Sequence, residues 1–173
     1  MQLVIISGRS GSGKSIALQA LEDLGYYAID NLPAMLLGSL VDELRDKGDR
    51  AHLAVSIDAR NLPGALERLP SMLEELRQRK IDFQVIYLTT DARILLERYS
   101  ATRRRHPLTR DSEMTLEEAI NKEEETLHDI RDLADLLIDT SRLSVHDLRR
   151  RITDQVAHQR RDKLTLTLES FGY

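Results

Sequence analysis

The stretch LVIISGRSGSGKS, residues Leu3 to Ser15, decides how the rest of the chain is read. Its first half, Leu3–Ser7, is apolar up to a terminal serine, the pattern of a strand buried on both faces of a parallel sheet. Its second half, Gly8–Ser15, fits G-x-x-x-x-G-K-[ST] and stands where that motif belongs, between a strand and a helix. Glycine lets the backbone turn its N–H groups inward around a phosphate. The helix that follows adds partial positive charge at the same place. Gly8, Arg9, Ser10, Gly11, Ser12 and Gly13 are thus expected to form a cradle. Lys14 is placed to reach β- and γ-phosphates and Ser15 to ligate Mg²⁺.

Working outward, short β-rich runs alternate with longer amphipathic ones, as in a parallel sheet with crossover helices. Strands are expected at Leu3–Ser7, Tyr26–Ile29, His52–Ile57, Phe83–Thr89 and Leu136–Ile138. Helices are expected over Ser15–Leu24, Pro33–Lys47, Gly64–Arg79, Asp91–Tyr99, Thr115–Leu133 and Ser144–Gln159. Thr115, with Glu118 three residues on, reads as a capping box. Ala101–Ser112, which holds Pro107 and little apolar periodicity, reads as a loop. The fold class is α/β, a three-layer αβα P-loop NTPase of small-kinase type with a five-stranded, mainly parallel sheet. Lys163–Tyr173 departs from this scheme. Leu164, Leu166 and Leu168 alternate as in a half-buried strand, which would either join a sheet edge or open a further domain.

A carboxylate at the end of another buried strand should hold Mg²⁺ through water. Asp58 is the first candidate, and with Lys14 it is the expected catalytic pair. Asp30 is the second and Asp139 the third. Asp58, Ala59, Arg60 and Asn61 form a polar cluster beside the expected nucleotide. Asn121-Lys-Glu-Glu124 resembles the guanine-reading N-K-x-D string but ends in Glu inside an acidic helix, and reads as helix surface.

Charge is concentrated in blocks. The chain of 173 residues has 25 Lys and Arg against 29 Asp and Glu. Arg98, Arg103, Arg104, Arg105 and Arg110 fall in a stretch without an acid, followed by an acidic run from Asp111 to Asp139. Guanidinium forks pair bidentately with phosphate oxygens, so the arginine stretch, with Arg103 and Arg104 foremost, is expected to close over a nucleotide. A second basic cluster runs from Arg149 to Lys163, where it can form a solvated face or touch nucleic acid. The chain has no cysteine, which excludes a disulfide scaffold, a Cys-based zinc site and a thiol nucleophile. No apolar run approaches the ~18 residues of a membrane span, and the start lacks a basic n-region. A cytoplasmic location is the expectation.

SGRSGSGKS (Ser7–Ser15), LEDLGYYAIDNLP (Leu21–Pro33), AVSIDARN (Ala54–Asn61), RRRHPL (Arg103–Leu108) and ESFGY (Glu169–Tyr173) resemble, in order, the bacterial RapZ (YvcJ) family. These are P-loop proteins known as RNase adapters. The resemblance implies binding and hydrolysis of ATP and GTP, with Gly8–Ser15 assigned to ATP and Asp58–Asn61 to GTP. It also implies a regulatory RNA and an RNase as partners, met chiefly through a C-terminal domain. Residues 1–160 would form the nucleotide domain and 161–173 the start of a linker or strand toward that further domain. A homo-oligomer is expected for the full-length protein. The competing expectation is a small-molecule kinase, in which Asp30 would activate an acceptor hydroxyl.

Overall fold

The computed structural model describes residues 1–48, 51–62, 64–102, 104–110 and 113–171, those from 160 onward by their backbone alone. Five strands form one sheet: β1 (Gln2–Gly8), β2 (Tyr27–Ile29), β3 (His52–Ser56), β4 (Asp82–Thr89) and β5 (Leu136–Asp139). Six α-helices accompany them: α1 (Lys14–Asp23), α2 (Leu37–Arg45), α3 (Leu69–Gln78), α4 (Ala92–Thr102), α5 (Leu116–Leu133) and α6 (Val145–Phe171).

The strand order is β2-β3-β1-β4-β5, and every pairing is parallel. β1 lies at the centre, hydrogen-bonded to β3 from Gln2↔His52 and to β4 from Gln2↔Asp82. Its alternate residues serve opposite faces, as the two-residue period of a strand requires. Leu3 and Ile5 pack into a core built with Leu37, Val41, Leu69, Leu73 and Leu127 of α2, α3 and α5. Val4 and Ile6 pack into another with Ala17, Leu21, Leu148 and Ile152 of α1 and α6. This double burial makes the α/β sandwich and explains the unbroken apolar run. Each fully buried Leu or Ile contributes roughly 1.5–3 kcal/mol.

The chain reverses direction of growth beside β1: β2 and β3 lie to one side, β4 and β5 to the other. A parallel sheet opens a crevice at such a switch point, outside the carboxyl ends of its strands. The segments that follow β1, β2, β3, β4 and β5 therefore all converge there.

The helix boundaries differ from expectation where the backbone leaves the right-handed region. Gly64 has φ +78°, so it cannot begin a helix, and α3 starts at Leu69 with Pro70 in its first turn. A 3₁₀ turn at Ala34–Leu36 precedes α2. Within the expected loop, α4 continues to Thr102 and Pro107–Thr109 forms a 3₁₀ turn. The capping box of α5 is present, with Thr115 Oγ1 accepting from Glu118 N–H and the Glu118 carboxylate accepting from Thr115 N–H.

The strand expected over Lys163–Tyr173 does not form, because the backbone is helical through Phe171. The last two residues lie outside the described part. Lengthening an existing helix gains a hydrogen bond for each residue added and needs no partner. Alternation of leucines has meaning only against a sheet edge. Among the described residues, no helix is long and apolar enough to cross a membrane.

Candidate phosphate-binding site

β1 ends at Gly8 and α1 begins at Lys14, so the glycine-rich loop bridges the carboxyl end of the central strand and a helix N-terminus. Two glycines are required by geometry. Gly8 has φ +147°, and a Cβ there would stand 2.6 Å from the Leu88 carbonyl oxygen. Gly13, in the left-handed region at φ +109°, caps α1, and a Cβ there would meet Leu148 Cδ2 at 2.7 Å. No side chain is tolerated at either place without movement. The chain can thus hold the loop close to both neighbours.

The loop is held from outside by groups distant in sequence. Arg98 donates to Gly11 O at 2.7 Å and to Thr140 O at 2.8 Å. Thr140 Oγ1 donates to Ser12 O at 2.7 Å. Arg9 turns away from the loop, donating to Thr90 O and meeting Glu124 at 3.4 Å. Ser10 donates its backbone N–H and its hydroxyl to Glu123 Oε1 at 2.7 and 2.8 Å. Such fixed hydrogen bonds pre-organise the remaining loop N–H groups, so little ordering is left for a ligand to impose.

Lys14 folds back on this loop, donating from Nζ to Gly8 O at 2.8 Å and to Arg9 O at 3.2 Å. Burial holds its ammonium pKa below the ordinary value, and the charges of Asp58 and Glu123 only partly oppose that shift. Ser15 follows, exposed at the pocket wall. These residues fit phosphates and a bound cation. They offer a cradle too narrow for a Cβ, a desolvated ammonium, a helix N-terminus and a free hydroxyl.

The Asp58 cluster is arranged differently from a set of ligand-reading side chains. Asp58 is almost fully buried, with side-chain exposure of 1%, and both its oxygens lie in the Arg60 fork. Arg60 Nη2 donates to Oδ2 at 2.7 Å, Nε donates to Oδ1 at 3.1 Å, and the Arg60 backbone N–H reaches Oδ1 at 2.9 Å. Burial pushes the Asp58 carboxyl upward, but the Arg60 hydrogen bonds and the Lys14 charge more than offset it, leaving the pKa below 3.8. Asn61 accepts from Ala34 N–H at 2.7 Å and donates to Leu32 O at 3.1 Å, which braces the Asn31–Pro33 turn. Ala59 packs on the core.

A pocket of about 500 Å³ opens beside the loop. Its lining includes Ser10, Gly11, Gly13, Lys14 and Ser15 of the loop together with Asp30, Arg60, Arg104, Arg105 and Arg110. Asp30, the second carboxylate candidate, lines this pocket. Arg103 lies outside the described residues. Asp139 turns to Ser141, accepting from its N–H and hydroxyl at 2.9 and 2.7 Å.

A family model described as RapZ-like N-terminal domain matches residues 1–160. The chain belongs to this family. A nucleotide-binding protein of Chromohalobacter salexigens is 72% identical to this RapZ-like domain over 100% of the chain and 58% of that protein. One from Tolumonas auensis is 48% identical, over 100% of the chain and 59% of that protein. The chain therefore spans about three fifths of the length of these curated relatives. Among solved structures, shikimate kinase from Acinetobacter baumannii in complex with shikimate superposes with a TM-score of 0.55 at 19% identity, covering 91% of this chain and 93% of that one. A gluconokinase from Sinorhizobium meliloti gives 0.55 at 17%, covering 99% and 98%. The RapZ-like domain thus has a P-loop kinase fold.

Several residues that hold this RapZ-like site were not legible as such. Glu123 was part of a string read as helix surface, yet it is buried to 1% exposure. Its Oε2 meets His106 Nε2 at 2.6 Å, and His106 Nδ1 accepts from Leu108 N–H at 3.1 Å. The signal was its phase: Ile120, Glu123, Leu127 and Ile130 share the apolar face of α5. Thr90 and Thr140, whose hydroxyls meet at 2.7 Å, carried no pattern at all.

Proposed function

We propose that this RapZ-like domain binds a nucleoside triphosphate, ATP or GTP, with Mg²⁺, and hydrolyses it slowly. The observation that carries this reading is the pre-organised Gly8–Ser15 loop with Lys14 desolvated at its mouth. Loop N–H groups and the α1 N-terminus cradle the β-phosphate. Lys14 leaves the Gly8 and Arg9 carbonyls for the β- and γ-phosphate oxygens, where its charge gains a partner. Ser15 is the residue to hold Mg²⁺, with Asp58 the expected second partner through water; the ion would neutralise charge developing on the phosphates. The Arg60 fork on Asp58 must loosen before that carboxylate can serve, and Arg60 is then released toward the phosphates. Arg104, with Arg103 beside it, closes on the nucleotide from the arginine segment. Asp58, whose carboxyl is held below its ordinary pKa by the Arg60 hydrogen bonds and the Lys14 charge, makes a poor base for water. Turnover below about 1 s⁻¹ is the consequence, against 1–100 s⁻¹ for kinases.

In the longer protein this domain serves an RNase adapter that binds a regulatory RNA, works as a homo-oligomer and resides in the cytoplasm. The RapZ-like family assignment supports this reading, with RNA and RNase contacts made chiefly outside residues 1–160 and residues 161–173 leading toward the partner domain. Isothermal calorimetry with ATP and GTP, each with Mg²⁺, tests the site. Binding by the wild type and its loss in Lys14→Ala is expected. No binding by the wild type overturns the reading.

A further inference from the structure

The phosphate loop is joined to α6 at two points. Gly13 lies so close to Leu148 that a Cβ on it would stand 2.7 Å from Leu148 Cδ2. Thr140 Oγ1 donates to Ser12 O at 2.7 Å, and Thr140 is itself built into the start of α6. Its carbonyl accepts from Leu143 N–H, and Ser144 O accepts from Leu148 N–H. Ser144 and Asp147 cap each other, backbone N–H to side chain, at 3.1 Å both ways. A turn bonded in this way moves as one piece. A displacement of Gly11–Gly13 is therefore passed to the first turn of α6.

Further along α6, another hydrogen bond ties the helix to the opposite end of the sheet. Gln159 Oε1 accepts from Gln2 Nε2 at 2.9 Å, and Gln2 Oε1 accepts from the Tyr26 hydroxyl at 2.7 Å. Gln2 opens β1 and Gly8 closes it, so this bond lies about 20 Å from the loop at ~3.3 Å per residue. Between the two ends, Leu148, Ile152 and Val156 of α6 share one core with Ala17, Leu18 and Leu21 of α1. Among the described residues, the side-chain hydrogen bonds between these helices come from exposed Arg149, to Asp23 at 3.1 Å and to Gln19 at 3.0 Å. Apolar contact is non-directional, and an exposed arginine can follow its partners. The helix is thus held at its ends and able to slide between them. Helix shifts in switching proteins are about 1–2 Å. A shift of that size carries a 2.9 Å hydrogen bond past the range in which it holds.

We propose that α6 is the output element of the phosphate loop. A triphosphate draws Lys14 from the Gly8 and Arg9 carbonyls and resettles the loop. α6 shifts with Leu148 and Thr140, and the Gln159–Gln2 bond opens at the opposite end of the sheet. The nucleotide state is thereby presented along the later part of α6, whose backbone stays helical through Phe171. The proposal rests on the triphosphate reading for its input and on the contacts of α6 alone for its route. Coupling between two sites is reciprocal. The far bond therefore also favours the ligand-free loop, and its loss favours nucleotide binding.

The test uses the 173-residue chain with Mg²⁺ and a non-hydrolysable ATP analogue. NMR of the Gln2 side-chain amide reads the far bond, and calorimetry reads the loop. On saturation with the analogue, the Gln2 amide resonances are expected to move toward their positions in ligand-free Gln159→Ala. Gln159→Ala is expected to bind the analogue about fivefold more tightly than wild type. Gln155→Ala, one turn earlier on α6, is expected to bind it as wild type does. Gln2 amide resonances that stay in place with the analogue bound overturn the proposal. So does an affinity of Gln159→Ala no tighter than wild type, or an equal gain in Gln155→Ala. If the analogue does not bind the wild type, the triphosphate reading fails separately. The loop is then displaced by Gly13→Ala, whose Cβ presses on Leu148, or by Thr140→Val should that variant not fold. The Gln2 amide is again expected to move, and resonances identical to wild type overturn the route.

Discussion

Glu123 and Ser10 lie 113 residues apart, and a single carboxylate oxygen of Glu123 receives both the backbone N–H and the hydroxyl of Ser10. Its other oxygen meets His106 Nε2, so one buried side chain ties the phosphate loop to the arginine segment. His106 Nδ1 accepts from Leu108 N–H, which places the imidazole proton on Nε2, donating to Glu123. A ligand that moves the loop must therefore move Pro107–Thr109 with it.

Glu123→Gln tests that tie. An amide can still accept from Ser10, but its NH₂ would face the His106 Nε2–H, donor against donor. Flipping the tautomer only moves the conflict to Leu108. A lost buried bond to a charged group costs about 1.5–3 kcal/mol. With each kcal/mol worth roughly 2–4 °C in a domain of this size, thermal denaturation should show Tm lower by about 3–12 °C. Triphosphate affinity, measured by calorimetry, should fall as well.

Lys14→Met should separate binding from stability. Burial depresses the Lys14 pKa, so the ligand-free fold bears a cost for the charged ammonium at neutral pH. Removing the charge should leave the ligand-free Tm no lower than wild type while nucleotide binding disappears. In the wild type, a bound triphosphate should raise the same pKa toward or above 10.5. Binding at alkaline pH, between the free and bound values, should therefore take up a proton. Calorimetry in buffers of different ionisation enthalpy would show it, and proton release would contradict the role of Lys14.

Gly8→Ala should damage the fold itself. The new Cβ would collide with a backbone carbonyl of β4 rather than with a flexible side chain, at a φ that alanine avoids. A cost of roughly 1–3 kcal/mol from strain alone is expected. Denaturant titration should show a lower midpoint, and a midpoint equal to wild type would contradict this geometry.

Asp58 sets an acid limit. Its folded pKa lies below the unfolded value near 3.8, so the unfolded chain binds the proton more readily in that range. The stabilisation from Asp58 is fully present above about pH 3.8 and is lost as pH falls through the folded value. Arg60→Ala removes the side-chain hydrogen bonds and the guanidinium charge, leaving only Lys14 and the residue-60 backbone N–H to oppose burial, which shifts the carboxyl upward. Acid unfolding followed by circular dichroism should then begin at higher pH than in the wild type.

The phosphate loop, the α/β class, all five strands and the α5 capping box could be read from local pattern. Each depends on neighbours in sequence: a buried strand needs a run of apolar residues, and a cap needs Thr115 and Glu118 three apart. The chain by itself thus determined a central strand leading into a phosphate cradle. Only the tertiary structure decided what surrounds that cradle. Arg98, Thr140 and Glu123 reach it from three other elements, and Asn61 turns out to brace the Asn31–Pro33 turn. Asp58 and Asp30 looked alike as strand-end carboxylates. The fold sends one into the Arg60 fork and leaves the other lining the pocket. The physical reason is that these bonds join residues up to 128 positions apart. No local period can encode them, because they exist only once the sheet has brought its strand ends together.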